Sequence, residues 1–224
     1  MNLTKNKKKQ IEGLNLDKSY PVLEAVKLLK EKKYVKFDES VEISINTGID
    51  SKQSDQNVRG SFVPPNGLGK KVEIAVFAQG KNADDAKSLG VKRVGGDDLV
   101  LSLQEKIDVD VVIATPDMMS VVSKIAKTLG PKGLMPNPKT GTVTNDIKGT
   151  IDNINKGLVT YKNDKAGTIH ASLGKVSFED NKLIENINSF IDEIKKIKPS
   201  GVKGNFINSV YVSSTMGFGL KIEI

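Results

Sequence analysis

The chain has 224 residues, of which 38% are hydrophobic, and it contains no cysteine and a single histidine. This length predicts one or two domains, and this hydrophobic fraction is typical of a globular protein and excludes a largely disordered chain. The absence of cysteine excludes disulfides, thiol nucleophiles and thiolate metal sites, and a single histidine excludes a cluster of histidine ligands.

The charge favours a polyanionic partner. The chain has 34 Lys and Arg against 27 Asp and Glu, a net charge of +7, and such a balance favours nucleic acid or an acidic membrane surface. Residues 1–9 carry Lys5, Lys7, Lys8 and Lys9 and no acid. We interpret this segment either as a solvated, poorly ordered terminus or as an arm that contacts phosphate.

No apolar run approaches the length of a membrane-spanning helix, and no apolar segment follows the basic start as in a secretory signal. A cytosolic protein is therefore expected.

The first part of the chain predicts a helix followed by strands. Ser19 can cap a helix whose apolar residues recur at helical spacing up to Leu29. Strict alternation over 41–46 predicts a half-buried strand, and 58–63 can add a short one. The Pro- and Gly-containing segment 64–67 is a predicted boundary.

The middle part has a different pattern, in which strands and helices alternate. The predicted strands are 72–77, 91–94 and 109–114, and the predicted helices are 83–89, 97–106 and 115–129. Such alternation is typical of a doubly wound α/β domain with a parallel sheet.

The last part returns to the first pattern. It predicts antiparallel strands at 158–162 and 167–178, an amphipathic helix at 183–197 and a closing hairpin within 210–224. We therefore expect an α/β protein in which residues 1–66 and 159–224 form one split domain and residues 67–158 form an inserted domain.

The loop 130–141, GPKGLMPNPKTG, nearly matches the phosphate-binding pattern G-x-x-x-x-G-K-[ST]. Proline at 138 replaces the second glycine, and proline has no backbone N–H to offer a phosphate. The loop also follows a helix rather than a strand. We interpret it as a rigid loop, with a polyanion contact by Lys132 and Lys139 as the alternative.

Two further segments combine polar and apolar groups. FDESVE, 37–42, brings carboxylates close to an aromatic ring, but without a nucleophile or metal partner in sequence it indicates a solvated face, or acceptors for a ribose 2′-OH or a base amine. Residues 213–219, SSTMGFG, predict a plain turn or a close approach of backbone to a ligand at glycine. His170 has no Ser or Cys motif around it, so it is expected to face solvent or a partner rather than to catalyse.

Four motifs together resemble one family. KFDESVEI, GPKGLMPNPKTGTV, GTIHASLGKVSF and SSTMG occur in the order and at spacings similar to those of the large-subunit ribosomal protein one family of bacteria, the proteins of the mobile ribosomal stalk. The resemblance covers essentially the whole chain. It implies a split two-layer α/β domain and an inserted three-layer, Rossmann-like α/β domain.

The resemblance also implies a non-enzymatic function without cofactor or metal. The expected partners are large-subunit (23S) rRNA at the stalk, the large ribosomal subunit, exit-site tRNA whose release is assisted, and the family's own operon mRNA, whose translation is repressed. The implied RNA-binding residues share a position in the split domain: Lys36, Phe37, Ser40, Glu42, Thr168, His170, Thr215, Met216 and Gly217.

One alternative belongs to another class of protein. A small-ligand-binding or phosphoryl-transfer enzyme could be built on the inserted domain, since fold alone does not determine function. Such an enzyme needs a glycine-rich turn after a strand, whereas the turn after VEIAVF, 78–81, contains a single glycine. A regulator acting away from the ribosome is a further alternative.

Overall fold

The computed structural model describes residues 5–15, 18–53, 55–105, 107–202 and 204–223. The backbone forms two compact units, one made of the chain up to Gly69 together with the chain from Val159 onward, and one made of Lys70–Leu158. Across the described ranges, no helix is long and apolar enough to cross a membrane.

The strands, in chain order, are β1 (Ser19–Tyr20), β2 (Ser40–Thr47), β3 (Arg59–Phe62), β4 (Ile74–Phe77), β5 (Arg93–Gly95), β6 (Val111–Ala114), β7 (Val159–Lys162), β8 (Thr168–Lys175), β9 (Ile207–Ser214) and β10 (Gly219–Ile222). The α-helices are α1 (Lys5–Ile11), α2 (Val22–Glu31), α3 (Lys81–Ser88), α4 (Asp97–Glu105), α5 (Met119–Ser123), α6 (Ala126–Leu129), α7 (Ile147–Asn155) and α8 (Asp180–Lys196). This composition confirms the α/β class.

The split unit is built on a five-stranded sheet with the order β1-β10-β9-β2-β8. All pairs are antiparallel except β1 with β10, which is parallel. Val41, Ile43 and Ile45 on the interior strand β2 are buried against the core that α2 and α8 cover. Because side chains alternate across a strand, the polar residues between them face away from the helices.

A second, two-stranded sheet pairs β3 with β7, with Phe62 opposite Val159. The rings of Phe62 and Tyr161 both pack edge-on against Phe190 of α8, at centroid distances of 5.3 and 5.5 Å. The two segments of the split unit are thus joined by one aromatic cluster in the same core.

The Lys70–Leu158 unit contains a parallel sheet with the order β5-β4-β6. Alternate residues of its strands enter two separate apolar clusters, with Ala75 and Phe77 on one side and Ile74 and Val76 on the other. The first cluster includes residues of α4, α5 and α6, and the second includes residues of α3 and α7. The sheet is therefore the middle of three layers.

The structure differs from the predicted elements at several places. The predicted helix 115–129 is divided into a 3-10 turn at Pro116–Met118, α5 and α6. Helix α7 was not predicted, although Asp146 caps it. Helix α1 occupies the lysine-rich N-terminal segment, where Lys7 and Lys8 are exposed; residues 1–4 lie outside the described ranges.

Candidate nucleic-acid interface

The face of the five-stranded sheet that lies opposite α2 and α8 is polar. Residues paired across β8, β2 and β9 form three rows on this face: Thr168, Asn46 and Ser209; His170, Ser44 and Tyr211; Ser172, Glu42 and Ser213. We call these nine residues the polar sheet face. All nine are exposed or half-buried, since the strands' intervening residues fill the core.

The middle row contains the one histidine. Ser44 Oγ lies 3.0 Å from His170 Nδ1, and His170 Nε2 lies 3.7 Å from a carboxylate oxygen of Asp164. The backbone N–H of Thr168 is the main cause that lowers the pKa of Asp164; burial opposes it, and the N–H of Ala166 and the His170 ring lower the pKa further. The His170 ring is thus held between two polar side chains at the surface.

The turn between β9 and β10 lies beside the start of β2. We call Ser214, Thr215, Met216 and Gly217 the 214–217 turn. The N–H of Ser40 donates to Thr215 Oγ1 at 3.0 Å, and the N–H of Thr215 donates to the Ser40 carbonyl at 3.1 Å. This reciprocal pair places the turn next to the segment that carries Lys36 and Phe37, four and three residues before Ser40.

The exposed apolar groups near this end of the sheet are large. Phe37 is 52% exposed, Met216 44% and Tyr211 39%. Lys36 is also exposed, and the ammonium group of Lys175 donates to Ser40 Oγ at 3.0 Å. A ring, a thioether and lysines beside hydroxyl groups are the group types that stack on bases, contact ribose and neutralise phosphate.

The nine residues expected to bind RNA all lie in the split unit. Glu42, Thr168 and His170 lie on the polar sheet face, and the others lie in or next to the 214–217 turn. Lys36, Phe37, Glu42, His170, Thr215 and Met216 are exposed, and Ser40, Thr168 and Gly217 are half-buried. Whether these residues bind RNA remains a prediction.

The structure gives Gly217 a further role. A Cβ atom at this position would overlap the hydroxyl group of Ser214, and the N–H of Gly217 donates to the Ser214 carbonyl at 3.0 Å. A side chain at 217 would therefore displace the Ser214 hydroxyl, independently of any approach by a ligand. The hydroxyl of the exposed Thr215 also has a structural partner, because it accepts from the N–H of Ser40.

Several polar neighbours of these residues were not identified from the sequence: Ser44, Asn46, Ser172, Ser209 and Tyr211. The sequence does indicate an outward polar side for the last of these strands, because polar residues alternate with buried valines in VYVS, 210–213. Sequence alone could not show that this strand pairs with β2 and shares its outward face.

The loop 130–141 is held by its own hydrogen bonds. Asn137 Oδ1 accepts from the N–H of Lys139, and the N–H of Asn137 donates to the buried Thr142 hydroxyl at 2.8 Å. Lys132 and Lys139 are exposed. These contacts support the interpretation as a rigid loop and leave both lysines accessible.

Among the residues that the structure describes, no three His, Asp or Glu side chains form a group able to hold a metal.

Comparison with known proteins assigns the family. Residues 29–218 match the model of the ribosomal protein L1p/L10e family. Over 222 residues, the chain is 50% identical to the large ribosomal subunit protein uL1 of Coxiella burnetii strain Dugway 5J108-111 and to that of strain RSA 331 / Henzerling II. The alignment covers 99% of this chain and 96% of each relative. The chain therefore belongs to the ribosomal protein L1p/L10e family.

Proposed function

We propose that this ribosomal protein is a component of the large ribosomal subunit and binds large-subunit rRNA with the polar sheet face and the 214–217 turn. Its location would then be the ribosome in the cytoplasm. The observation that carries the proposal is the juxtaposition of an exposed ring, a thioether, hydroxyl groups and lysines at one end of this sheet.

The mechanism follows from the chemistry of these groups. A folded RNA presents ribose hydroxyls and unpaired bases, which short polar side chains and exposed backbone can recognise. Glu42 lies between Ser172 and Ser213 in the sheet register, so its carboxylate can accept from a 2′-OH or a base amine. Lysines such as Lys36 supply attraction that weakens as salt rises.

The resemblance described above supports three finer proposals. The rRNA target lies at the mobile stalk, the protein assists release of deacylated tRNA from the exit site, and it represses translation of its own operon by binding a similar fold in the mRNA. One surface can serve both rRNA and mRNA if the two RNAs present the same shape to it.

An enzyme built on the Lys70–Leu158 unit is not favoured. The turn after β4 contains Gly80 at a positive φ, but it has no run of glycines to hold a phosphate. Membership of a ribosomal protein family also favours a structural and RNA-binding role.

Crosslinking in cells followed by sequencing of the bound RNA tests the proposal. We expect the stalk region of large-subunit rRNA to be the main crosslinked sequence and the operon mRNA to be a second one. Filter binding with the two RNAs as mutual competitors tests whether they share the surface. Crosslinks confined to unrelated RNA, or binding of both RNAs at once, would contradict the respective parts of the proposal.

A further inference from the structure

We infer that Glu39 is a positioning residue that fixes the 214–217 turn in its RNA-binding conformation, which rests on the proposed function. Glu39 lies directly before β2 and is only 1% exposed, unlike the exposed Asp38 beside it. Within the described part of the chain, it is the only Asp, Glu, Lys or Arg in the buried class. A buried carboxyl group is costly unless hydrogen bonds compensate for the lost water.

The hydrogen bonds of the Glu39 carboxyl group go to the turn. Its Oε1 atom accepts from the N–H of Met216 at 2.9 Å and from the hydroxyl of Ser214 at 3.1 Å. One carboxylate oxygen therefore holds a backbone donor and a side-chain donor two residues apart, and it fixes the backbone that presents Thr215 and Met216.

The backbone next to Glu39 is held as well. Its carbonyl accepts from the N–H of Val176 on the β8 side at 2.9 Å, and Ser40 exchanges two hydrogen bonds with Thr215. Glu39 thus lies on a segment anchored to the sheet, from which its side chain reaches the turn. Gly217 fits this arrangement, since a Cβ there would displace the Ser214 hydroxyl that Glu39 binds.

Glu39 can position the turn but cannot itself contact RNA. At 1% exposure Glu39 is not accessible to RNA, whereas Thr215 and Met216 are exposed. A turn that is already ordered loses less conformational entropy when it binds a partner. Loss of the carboxyl group should therefore weaken RNA binding, although removing a negative charge near a polyanion would by itself strengthen it. The direction of the change distinguishes the two effects.

The test compares Glu39→Ala and Glu39→Gln with Asp38→Asn. Asp38 accepts from the N–H and hydroxyl of Ser177 at 3.2 and 2.8 Å and has no hydrogen bond to the turn, so it controls for the loss of one negative charge. The measurements are hydrogen exchange at the Met216 amide and the dissociation constant for a stalk-region rRNA transcript over a salt series, all on the full chain.

For Glu39→Ala we expect Met216 exchange to become at least roughly tenfold faster and rRNA binding roughly tenfold weaker, which corresponds to about 1.4 kcal/mol. The salt slope should stay the same because no lysine contact is removed. Glu39→Gln should fall in between, since its amide oxygen can still accept from Met216. Asp38→Asn should leave Met216 exchange unchanged and should not weaken binding.

Unchanged Met216 exchange or unweakened binding in folded Glu39→Ala would overturn the inference. If Glu39→Ala fails to fold, Glu39→Gln and Ser214→Ala replace it in the exchange measurement. Exchange at Met216 at the wild-type rate in both variants would overturn the inference, and faster exchange in either would support it. A third outcome separates the two claims. If the Glu39 variants exchange faster at Met216 but the wild-type protein does not bind the transcript, Glu39 positions the turn and the proposed function is refuted.

Discussion

Ser44 and His170 face each other across strands β2 and β8, with Ser44 Oγ 3.0 Å from His170 Nδ1. They lie in the middle row of the polar sheet face, where Tyr211 is the third member. The serine hydroxyl fixes one edge of the ring, and Asp164 lies near the other. The imidazole is therefore oriented before any partner binds, which is the condition for a specific contact.

Replacing His170 by Ala should weaken rRNA binding without unfolding the protein. The lost contact is worth roughly 0.5–1.5 kcal/mol as a single hydrogen bond, or a few-fold to about tenfold in affinity. Because His170 is exposed, the free energy of unfolding should change by less than about 0.5 kcal/mol. Filter binding and urea unfolding measure the two quantities.

The neighbouring Thr168 offers a matched pair of variants. Thr168→Ala removes a hydroxyl from the polar sheet face, and Thr160→Ala removes one from an exposed position on β7, in the other sheet of the same unit. We expect only the first to weaken rRNA binding. Equal effects would show that the polar sheet face has no special part in binding.

Glu42→Gln should weaken rRNA binding if the carboxylate accepts hydrogen bonds from RNA. Gln keeps the shape but is a weaker acceptor than an ionised carboxylate. If Glu42 were only a solvated carboxylate among phosphates, the same change would strengthen binding by removing repulsion. Glu24→Gln, at an exposed position in the first turn of α2, is the charge-matched control and should have little effect. Tighter binding by Glu42→Gln would refute the hydrogen-bonding role.

The sequence predicted the parts of this molecule that depend on local periodicity. The alternation in β2 and the 4-3 spacing of apolar residues in α8 each indicated which side is buried, and both are confirmed. The helix predicted over 115–129 begins with a 3-10 turn at Pro116–Met118 and is interrupted at Lys124 and Ile125.

The features that sequence did not predict depend on contacts between distant segments. Glu39 belongs to a motif that indicated a solvated face, yet it is buried. Its partners, Ser214 and Met216, lie 175 and 177 residues away, so no local pattern could indicate these contacts. The prediction that Ser19 caps α2 is wrong: Pro21 precedes the helix, and Ser19 pairs in parallel with the distant Lys221. Helix α7, by contrast, has a local signature in the sequence: a capping aspartate and isoleucines at 147, 151 and 154.

Alkaline pH should destabilise the protein through Tyr161. Burial, together with the carboxylate of Glu193, raises the pKa of Tyr161 from its ordinary 10.0 to about 12. A raised folded-state pKa gives stability that is complete below pH 10 and is lost as pH rises from 10 towards 12. At pH 11 the wild type should lose about 1.4 kcal/mol relative to Tyr161→Phe.

Urea unfolding at pH 8, 9, 10 and 11 measures this difference, since lysine titration is common to both proteins. Tyr211→Phe, at the 39% exposed tyrosine, controls for the loss of one phenol. A constant difference between wild type and Tyr161→Phe across this pH range would contradict the assignment.

Asp146 should be a stabilising cap of α7 in the Lys70–Leu158 unit. Its Oδ1 accepts from the N–H of Gly149 at 3.0 Å, and its carbonyl accepts from the Thr150 hydroxyl at 2.9 Å. Asp146→Ala should cost about 1 kcal/mol and speed hydrogen exchange within α7. Asp152→Ala, at an exposed position of the same helix, should cost clearly less; equal losses would argue against capping.

The last prediction concerns the division of labour between the two units. We propose that the split unit is the principal rRNA binder and folds without the Lys70–Leu158 unit. Phe62 pairs with Val159, and Gly69 is only the seventh residue after Phe62, so the two chain ends lie within roughly 30 Å of each other. A Gly/Ser linker of about ten residues can span that distance.

Replacing 70–158 by such a linker should preserve most of the rRNA affinity, because all nine expected RNA-binding residues lie in the split unit. The slope of affinity against salt should also be similar, since the replaced residues 70–158 carry only two net positive charges, 13 basic against 11 acidic. The comparison is between dissociation constants of the intact and excised proteins over a salt series, with circular dichroism to establish that the excised protein folds. If the folded excised protein lost nearly all specific binding, the rRNA site would have to include the Lys70–Leu158 unit, and the exposed Lys132 and Lys139 would be the first residues to replace.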